Sequence, residues 1–244
     1  MSEDMIPVGA NESFQFNCSK ENKCFNECCR DLNQFLTPYD ILRLRKNLNI
    51  STEEFINKYT TTHMGDESGL PVLTFKVVDN ELKCPFVSDE GCTVYGDRPA
   101  SCRTYPLARA ISRNRDTGKI TEYFALIKEP HCLGFSCEKK QTPNEWNSDQ
   151  EIIKYNEMND LLMELISLKN TTIPGSLDSV SMDIFILGCY NLDRFRDNVV
   201  NDDFLAKHNI PADVVDKIKV DDELLLKTGI NWVKYELFGM DLNF

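Results

Sequence analysis

The sequence lacks several features that would each assign it to a broad class of protein. No uninterrupted apolar run approaches the ~20 residues of a transmembrane helix, so no membrane-spanning segment is expected. The opening segment MSEDMIPVGANES has neither the basic region nor the apolar core of a secretory signal. Glycine (11) and proline (10) are too scarce among 244 residues for a collagen-like or low-complexity chain. With 41% hydrophobic residues, the sequence predicts a folded, cytoplasmic protein.

Basic residues are also in short supply. Lysine and arginine number 27 against 39 acidic residues, which gives a net charge of -12. Because a protein that follows a nucleic-acid backbone needs a basic face, we expect no nucleic-acid partner. The acidity is concentrated in residues 144–244, where 9 basic and 19 acidic residues give -10, whereas residues 1–143 carry only -2. This acidic part indicates either a basic partner surface or simply a soluble exterior.

The common catalytic motifs are missing as well. The sequence has no phosphate-cradling glycine loop, no G-x-S-x-G elbow and no H-E-x-x-H helix. It also lacks the Cys-x3-Cys-x2-Cys spacing typical of radical S-adenosylmethionine enzymes. The sequence therefore leaves open whether the protein is an enzyme.

Cysteine is the residue type that is present in excess. Nine of the ten cysteines fall between positions 18 and 137. An even number permits disulfides, but a chain of this size without an export signal does not need them, so metal or cluster binding is favoured. Thiolates are soft ligands that select Zn(II) or iron–sulfur clusters over hard ions. The predicted metal ligands are Cys18, Cys24, Cys28, Cys29, Cys84, Cys92, Cys102, Cys132 and Cys137.

Two details of this cysteine pattern carry further information. Neighbouring side chains of an extended segment point to opposite faces, so Cys28 and Cys29 seldom ligate one ion together. Two interpretations follow: the pair contributes to two different centres, or one residue is a ligand and the other is packing. Cys189 lies in an apolar helical pattern and is predicted to be a core cysteine.

Arg98 and Arg103 stand close to Cys102 in the sequence and are candidate cofactor-binding residues. Their guanidinium groups beside thiolates would offset the negative charge of an anionic cluster and donate hydrogen bonds to sulfur. The alternative is an ordinary surface loop that contains arginines.

The periodicity of the chain predicts an α+β fold that is mainly helical. A loop-rich cysteine-cluster domain (14–140) with short β-hairpins is followed by an acidic helical region (144–244), which we expect to pack on the first. Residues 1–16 are expected to form a loose arm. Hairpins are predicted in 71–84, ending at Cys84, and in 105–128. Helices are predicted to begin at Thr37-Pro38 and Ser51, to cover 144–169 and 178–199, to begin again at Pro211, and to run from Asp221 to Phe238.

Several segments of the cysteine-rich part resemble the YkgJ-type cysteine-cluster proteins. The matching segments are the vicinal Cys28-Cys29 with the following Leu36-Thr37-Pro38-Tyr39-Asp40, then Cys84-Pro85-Phe86, Gly91-Cys92-Thr93-Val94-Tyr95 and Arg98-Pro99-x-x-Cys102-Arg103-x-Tyr105-Pro106. Those proteins are described as zinc- or iron-chelating domains with about eight recurrent cysteines. The resemblance covers roughly residues 14–137. The usual opening is C-x2-C-x2-C-C, whereas the gaps here are five and three residues.

The family's cysteine pattern is also similar to the metal-binding part of flagellin lysine methylases, which implies an iron–sulfur cluster more than zinc. Three hypotheses follow. The first is a protein with one or two iron–sulfur clusters, of the 4Fe-4S type, that transfers electrons or supports a redox reaction with a redox partner. The second is a structural zinc module that binds a partner protein. The third is a cluster-dependent protein-modifying enzyme.

Overall fold

The computed structural model describes residues 5–30, 34–66, 68–78, 80–114, 116–208 and 210–242. It is 47% helical and 18% strand, which confirms the mainly helical α+β prediction. Within these ranges, no helix combines the length and the apolarity that crossing a membrane requires. The described residues group into two compact units, one from 5–30 and 77–154 and the other from 34–76 and 155–242. The sequence-based division into 14–140 and 144–244 stays a prediction.

The elements are short in the cysteine-rich part and longer towards the C-terminus. The strands are β1 (Met5–Val8), β2 (Phe14–Gln15), β3 (Phe35–Leu36), β4 (Thr60–Met64), β5 (Pro71–Phe75), β6 (Val87–Ser88), β7 (Gly91–Cys92), β8 (Leu107–Arg113), β9 (Ile120–Ile127) and β10 (Lys140–Gln141). The helices are α1 (Pro38–Leu48), α2 (Thr52–Tyr59), α3 (Ala100–Thr104), α4 (Pro143–Asp149), α5 (Ile153–Thr172), α6 (Ser179–Cys189), α7 (Leu192–Val199), α8 (Asp202–His208), α9 (Ala212–Ile218) and α10 (Asp222–Phe238).

The main sheet of the first unit is antiparallel with the order β1-β9-β8. β8 and β9 form the hairpin predicted in 105–128, and its turn is closed by the bond from the Asn114 amide to the Lys119 carbonyl (2.9 Å). The prediction of a loose arm is wrong for residues 5–16, because β1 pairs with β9 and places Val8 opposite Phe124, while residues 1–4 of that prediction lie outside the described residues. A four-residue strand has little periodicity of its own, and here the free edge of β9 decides its conformation.

The core of the first unit centres on Phe16, which is 2% exposed. Its ring makes edge contacts with Tyr105, Phe135 and Trp146 at centroid distances of 5.9, 5.1 and 5.5 Å. A Cβ atom on Gly134 would lie 2.5 Å from this ring, so only glycine allows residues 132–137 to approach the segment before Cys18 this closely.

The sheet of the second unit has the order β3-β5-β4, with β5 buried between its neighbours. This arrangement corrects the hairpin predicted in 71–84. β5 pairs with β3 and β4, and only a tight turn closed by Val78 and Lys83 (N···O 2.8 and 3.1 Å) precedes Cys84. The Val78–Lys83 bridge lies within the predicted segment, but local sequence cannot identify both partners of a strand that is buried between two others.

The helix ends follow their capping residues. The Thr37 hydroxyl accepts from the Asp40 amide and the Asp40 carboxylate accepts from the Thr37 amide, so α1 begins as predicted. α10 also has its predicted bounds, with Asp221 at the start and Gly239 (φ 64°) after the end. The segment 144–169 is two helices rather than one, because the chain breaks around Glu151 (φ 53°).

The segment 178–199 is likewise two helices, since Asn191 caps a new helix by accepting from the Arg194 amide. α6 and α10 pack together in the second unit through Gly188 and Gly229. A Cβ atom on Gly229 would lie 2.0 Å from the Gly188 carbonyl oxygen, so the two backbones approach each other without intervening side chains. Cys189 is fully buried, as predicted for a core cysteine.

Candidate metal centre

The first cysteines follow the core residue Phe16. The amide of Asn17 donates to the Gly134 carbonyl (2.9 Å), which holds the chain just before Cys18 against residues 132–137. A series of turns leads to a short 3₁₀ turn at Glu27–Cys29, preceded by Asn26 in the left-handed conformation (φ 69°). No residue of this turn is buried, so hydrophobic packing does not account for the vicinal pair.

A two-stranded hairpin connects Cys84 with Cys92. β6 and β7 pair Val87 with Cys92, and Gly91 (φ 110°) allows the tight turn between them. Burial raises the pKa of Cys84 to about 11, while backbone amides of Phe86 and Val87 donate to its sulfur and act in the opposite direction. Burial also raises the pKa of Cys92, opposed by the Val94 amide. Amide donors directed at sulfur stabilise thiolates and are a recurring feature of cysteine-ligated metal sites.

Cys102 lies on helix α3, and the two arginines predicted beside it differ in their contacts. The Arg103 side chain is buried and donates to the backbone carbonyls of Arg98, Gln150 and Gly96. It therefore ties the loop before α3 to the end of α4. Arg98 stacks over the Tyr95 ring, 3.8 Å from its centroid. Its positive charge also reaches thiols.

The Arg98 guanidinium interacts electrostatically with three thiols. It lowers the pKa of Cys18 and of Cys92 against the larger effect of burial, and the Cys102 thiolate in turn favours the charged guanidinium. Burial lowers the pKa of Arg98 itself. The Arg98 guanidinium is therefore close enough to these thiols to offset their negative charge.

Cys132 also lies near other thiols. The neighbouring amide of Leu133 donates to the Cys24 sulfur at 3.2 Å, which joins two segments that are 109 positions apart in the chain. Gly134 makes this approach possible, as described above. Sequence spacing alone gives no indication that Cys24 and Cys132 are neighbours.

Mutual electrostatic effects define two sets of thiols. Burial and, to a smaller extent, the nearby thiolates of Cys28, Cys24 and Cys132 together raise the pKa of Cys18 to about 11. We call this the Cys18 set, and its other members are Cys28, Cys24 and Cys132. The Cys84 set contains Cys84, Cys92, Cys28 and Cys29.

Cys28 belongs to both sets. A hydrogen bond with the Cys29 thiol is the main cause that raises the pKa of Cys28, followed by partial burial. The Cys28 thiolate also raises the pKa of Cys18, Cys84 and Cys92. Thiols with raised pKa values are protonated at neutral pH and are poor nucleophiles. A bound cation would reverse these shifts, because it stabilises the deprotonated ligands.

Cys137 lies outside both sets. Its thiol is directed at the Lys139 carbonyl oxygen, 3.8 Å away. Among the residues that the structure describes, no three side chains of His, Cys, Asp or Glu converge closely enough to hold a metal ion as they stand. The structure thus brings seven of the nine predicted thiols, those of the Cys18 and Cys84 sets, into electrostatic range of one another without arranging them as a finished coordination sphere.

Tyr105 is a candidate site residue that was not predicted from the sequence. Its hydroxyl is buried and forms no hydrogen bond of normal geometry. Burial is the main cause that raises its pKa, and the Cys132 thiol and the Glu129 carboxylate nearby act in the same direction. Ser101, beside Cys102, has a second buried hydroxyl without a partner among the described residues. Such groups next to sulfur can donate to a thiolate once it forms. The only sequence signal was the position of Tyr105 within the motif after Cys102.

The comparisons with known proteins agree with this geometry. Residues 17–133 match a family model named CxxCxxCC, described as a "putative zinc- or iron-chelating domain". This segment belongs to the YkgJ-type cysteine-cluster family. The CxxCxxCC segment contains every cysteine of the Cys18 and Cys84 sets as well as Cys102, and it excludes Cys137. Searches of curated proteins and of solved structures found no match to the chain.

Soft sulfur donors, amides directed at those sulfurs and unpaired hydroxyls beside them fit a thiophilic metal. The CxxCxxCC segment is a metal-binding domain of the zinc- or iron-chelating kind.

Proposed function

We propose that the CxxCxxCC segment holds one or two cysteine-ligated iron–sulfur clusters and that the protein takes part in a redox reaction with a partner in the cytoplasm. The observation that carries this proposal is that electrostatic interactions through Cys28 link the two sets of thiols. Cys28 interacts with members of both sets, so these thiols form one group of seven cysteines rather than a single isolated set of four, and Cys102 interacts with the same Arg98 guanidinium as Cys18 and Cys92. A cluster or a pair of clusters makes use of more thiolates than one mononuclear ion does.

The ligands in this proposal are the eight cysteines inside the matched segment. They are Cys18, Cys24, Cys28, Cys29, Cys84, Cys92, Cys102 and Cys132. When bound, an iron–sulfur cluster supplies one-electron redox chemistry. Cys137 is the ninth predicted ligand, and we expect it to contribute least.

The surrounding residues would set the properties of such a centre. The amides of Phe86, Val87 and Val94 donate to sulfur and so disperse thiolate charge. The Arg98 guanidinium adds a positive charge on the same side. Both effects stabilise the more negatively charged state, so they favour a higher reduction potential. The Tyr105 hydroxyl is placed to donate to the Cys132 sulfur.

A structural zinc site is the second candidate, and a different observation favours it. The segments that carry the cysteines between 18 and 30 and between 84 and 102 consist of turns, two-residue strands and one short helix. No residue of the Glu27–Cys29 turn is buried, so cross-linking by metal would supply stability that packing does not. In that case the module would hold its loops in place for a partner protein.

The visible spectrum separates the two candidates. We expect protein purified without oxygen to be brown, with a broad band near ~400 nm that bleaches when dithionite is added. Electron paramagnetic resonance of the reduced sample should then show a cluster signal. A colourless protein that contains zinc would exclude the redox role and leave the structural module, because Zn(II) has no redox chemistry.

A further inference from the structure

The second unit has a sheet edge that no other strand of the described residues covers, and this edge is independent of the thiols. β4 is an outer strand of the β3-β5-β4 sheet. At one end of its pairing with β5, the Lys76 amide donates to the Tyr59 carbonyl (2.8 Å), and just beyond the other end the Gly65 amide donates to the Leu70 carbonyl (3.0 Å). In an antiparallel ladder such bonds fall on alternate residues. Thr62 and Met64 consequently direct their backbone N–H and C=O groups away from the sheet.

A groove of about 320 Å³ runs along this edge, between β4 and helix α6. Met64 lies on one side of it, and Met182 and Ile186 lie on the other. The Met64 side chain is 39% exposed, and Met182 and Ile186 are half-buried, so the apolar layer between sheet and helix is open to solvent here. An additional strand beside β4 would cover these side chains and satisfy the outward backbone groups at the same time.

The charged side chains at the β4 groove are carboxylates. The exposed Asp183 is the charged residue of the lining, which includes no lysine or arginine. Asp178 caps the N-terminal end of α6, next to the groove residue Ser179. Hydrogen bonds from Ser181 lower the pKa of Asp178, so this carboxylate is ionised at neutral pH. The part of the chain from 144 to 244 carries a net charge of -10. A ligand with basic side chains is therefore favoured over an acidic one.

We propose that the β4 groove binds an extended, basic segment of a partner protein as a fourth strand of this sheet. The outward N–H and C=O groups of Thr62 and Met64 would form the backbone bonds. The apolar side chains of the segment would contact Met182 and Ile186, and a lysine or arginine would pair with Asp183. A second copy of this chain is a poor occupant, because it carries the same net charge of -12.

The experiment uses the full chain and synthetic probes. A set of acetylated nonapeptides alternates Lys or Arg with Val, Ile, Thr or Phe, and a matched set has Glu in place of the basic residues. Binding is measured by fluorescence anisotropy at low and at physiological salt, and the contact residues are identified from backbone amide NMR shifts. Thr62→Pro removes one outward amide, a position where an edge strand accepts proline without losing its bonds to β5. Asp183→Lys reverses the charge in the groove, and Asp203→Lys, at an exposed site on α8, is its control.

Basic peptides should bind at least about tenfold more tightly than acidic ones, with shifts confined to β4 and the first turns of α6. Thr62→Pro and Asp183→Lys should each weaken that binding by about tenfold or more, whereas Asp203→Lys should change it by less than about threefold. The proposal is overturned if no basic peptide binds, if the acidic set binds as well, or if both groove variants bind like the native chain. It is also overturned if the native chain forms a dimer that Thr62→Pro abolishes, since the occupant would then be a second copy.

Discussion

Replacement of Cys28 by serine tests the link between the two sets of thiols. The Cys28 thiol interacts with the thiols of Cys18, Cys29, Cys84 and Cys92, and so with members of both sets. Serine has nearly the same shape but is a hard oxygen donor that a soft metal binds weakly. We therefore expect Cys28→Ser to remove more metal than any other single cysteine change.

The size of the effect follows from the ligand count. A four-thiolate zinc site contributes about 10–16 kcal/mol, or about 2.5–4 kcal/mol for each ligand. Since about 1.4 kcal/mol corresponds to a tenfold change, one lost ligand should weaken metal binding about 60- to 700-fold. The assay is competition with a chromophoric chelator for zinc, together with the iron content after anaerobic purification. Far-UV circular dichroism shows whether the variant still folds.

Cys137→Ser is the matched control, because this thiol lies outside both sets and outside residues 17–133. It should keep its metal with an affinity within about threefold of the native chain. The reasoning is refuted if Cys28→Ser retains full metal content, or if the two variants lose metal to the same extent.

Three further outcomes are expected. Gly134→Ala places a Cβ atom 2.5 Å from the tightly packed Phe16 ring. It should therefore destabilise the protein by about 1–3 kcal/mol in urea unfolding and lower the metal content. The control Gly96→Ala, whose Cβ atom would have no atom within 4 Å, should be nearly neutral. Gly229→Ala pushes a methyl group against the backbone of α6 and should destabilise the chain by about 3 kcal/mol or more, seen as a fall in Tm. Burial lowers the pKa of His208 below 6.5, so at acidic pH the unfolded chain binds a proton at this histidine more readily than the folded chain does. The free energy of unfolding should therefore fall as the pH drops below about 6.5. His208→Phe should remove this part of the pH dependence.

Local signals predicted the helix ends and the hairpin of β8 and β9 well. Thr37 and Asp221 are capping residues whose function depends only on the next three residues, and Gly239 ends α10 for an equally local reason. The single long helices predicted over 144–169 and 178–199 were wrong, because apolar periodicity continues across the breaks at Glu151 and Asn191. Both breaks depend on backbone conformations that the pattern of apolar residues does not report.

Long-range pairing was the part that the sequence could not provide. β1 pairs with β9 and β5 pairs with β3, and in both cases the partner lies far away in the chain. The same limit applies to the thiols. Cysteine count and spacing predict the thiols as metal ligands only as a class, and the contact of residue 133 with Cys24 depends on Gly134 packing against Phe16. The contribution of Tyr105 depends on its burial, which no spacing rule reports.

The most direct test of the account is the content of iron, acid-labile sulfide and zinc per chain after purification without oxygen. The account predicts iron and sulfide in equal amounts, with about four of each for one cubane cluster or about eight of each for two. One or two zinc ions per chain without sulfide would contradict the redox function and establish the structural alternative. A chain that holds neither metal when it is folded would contradict the assignment of the eight cysteines as ligands.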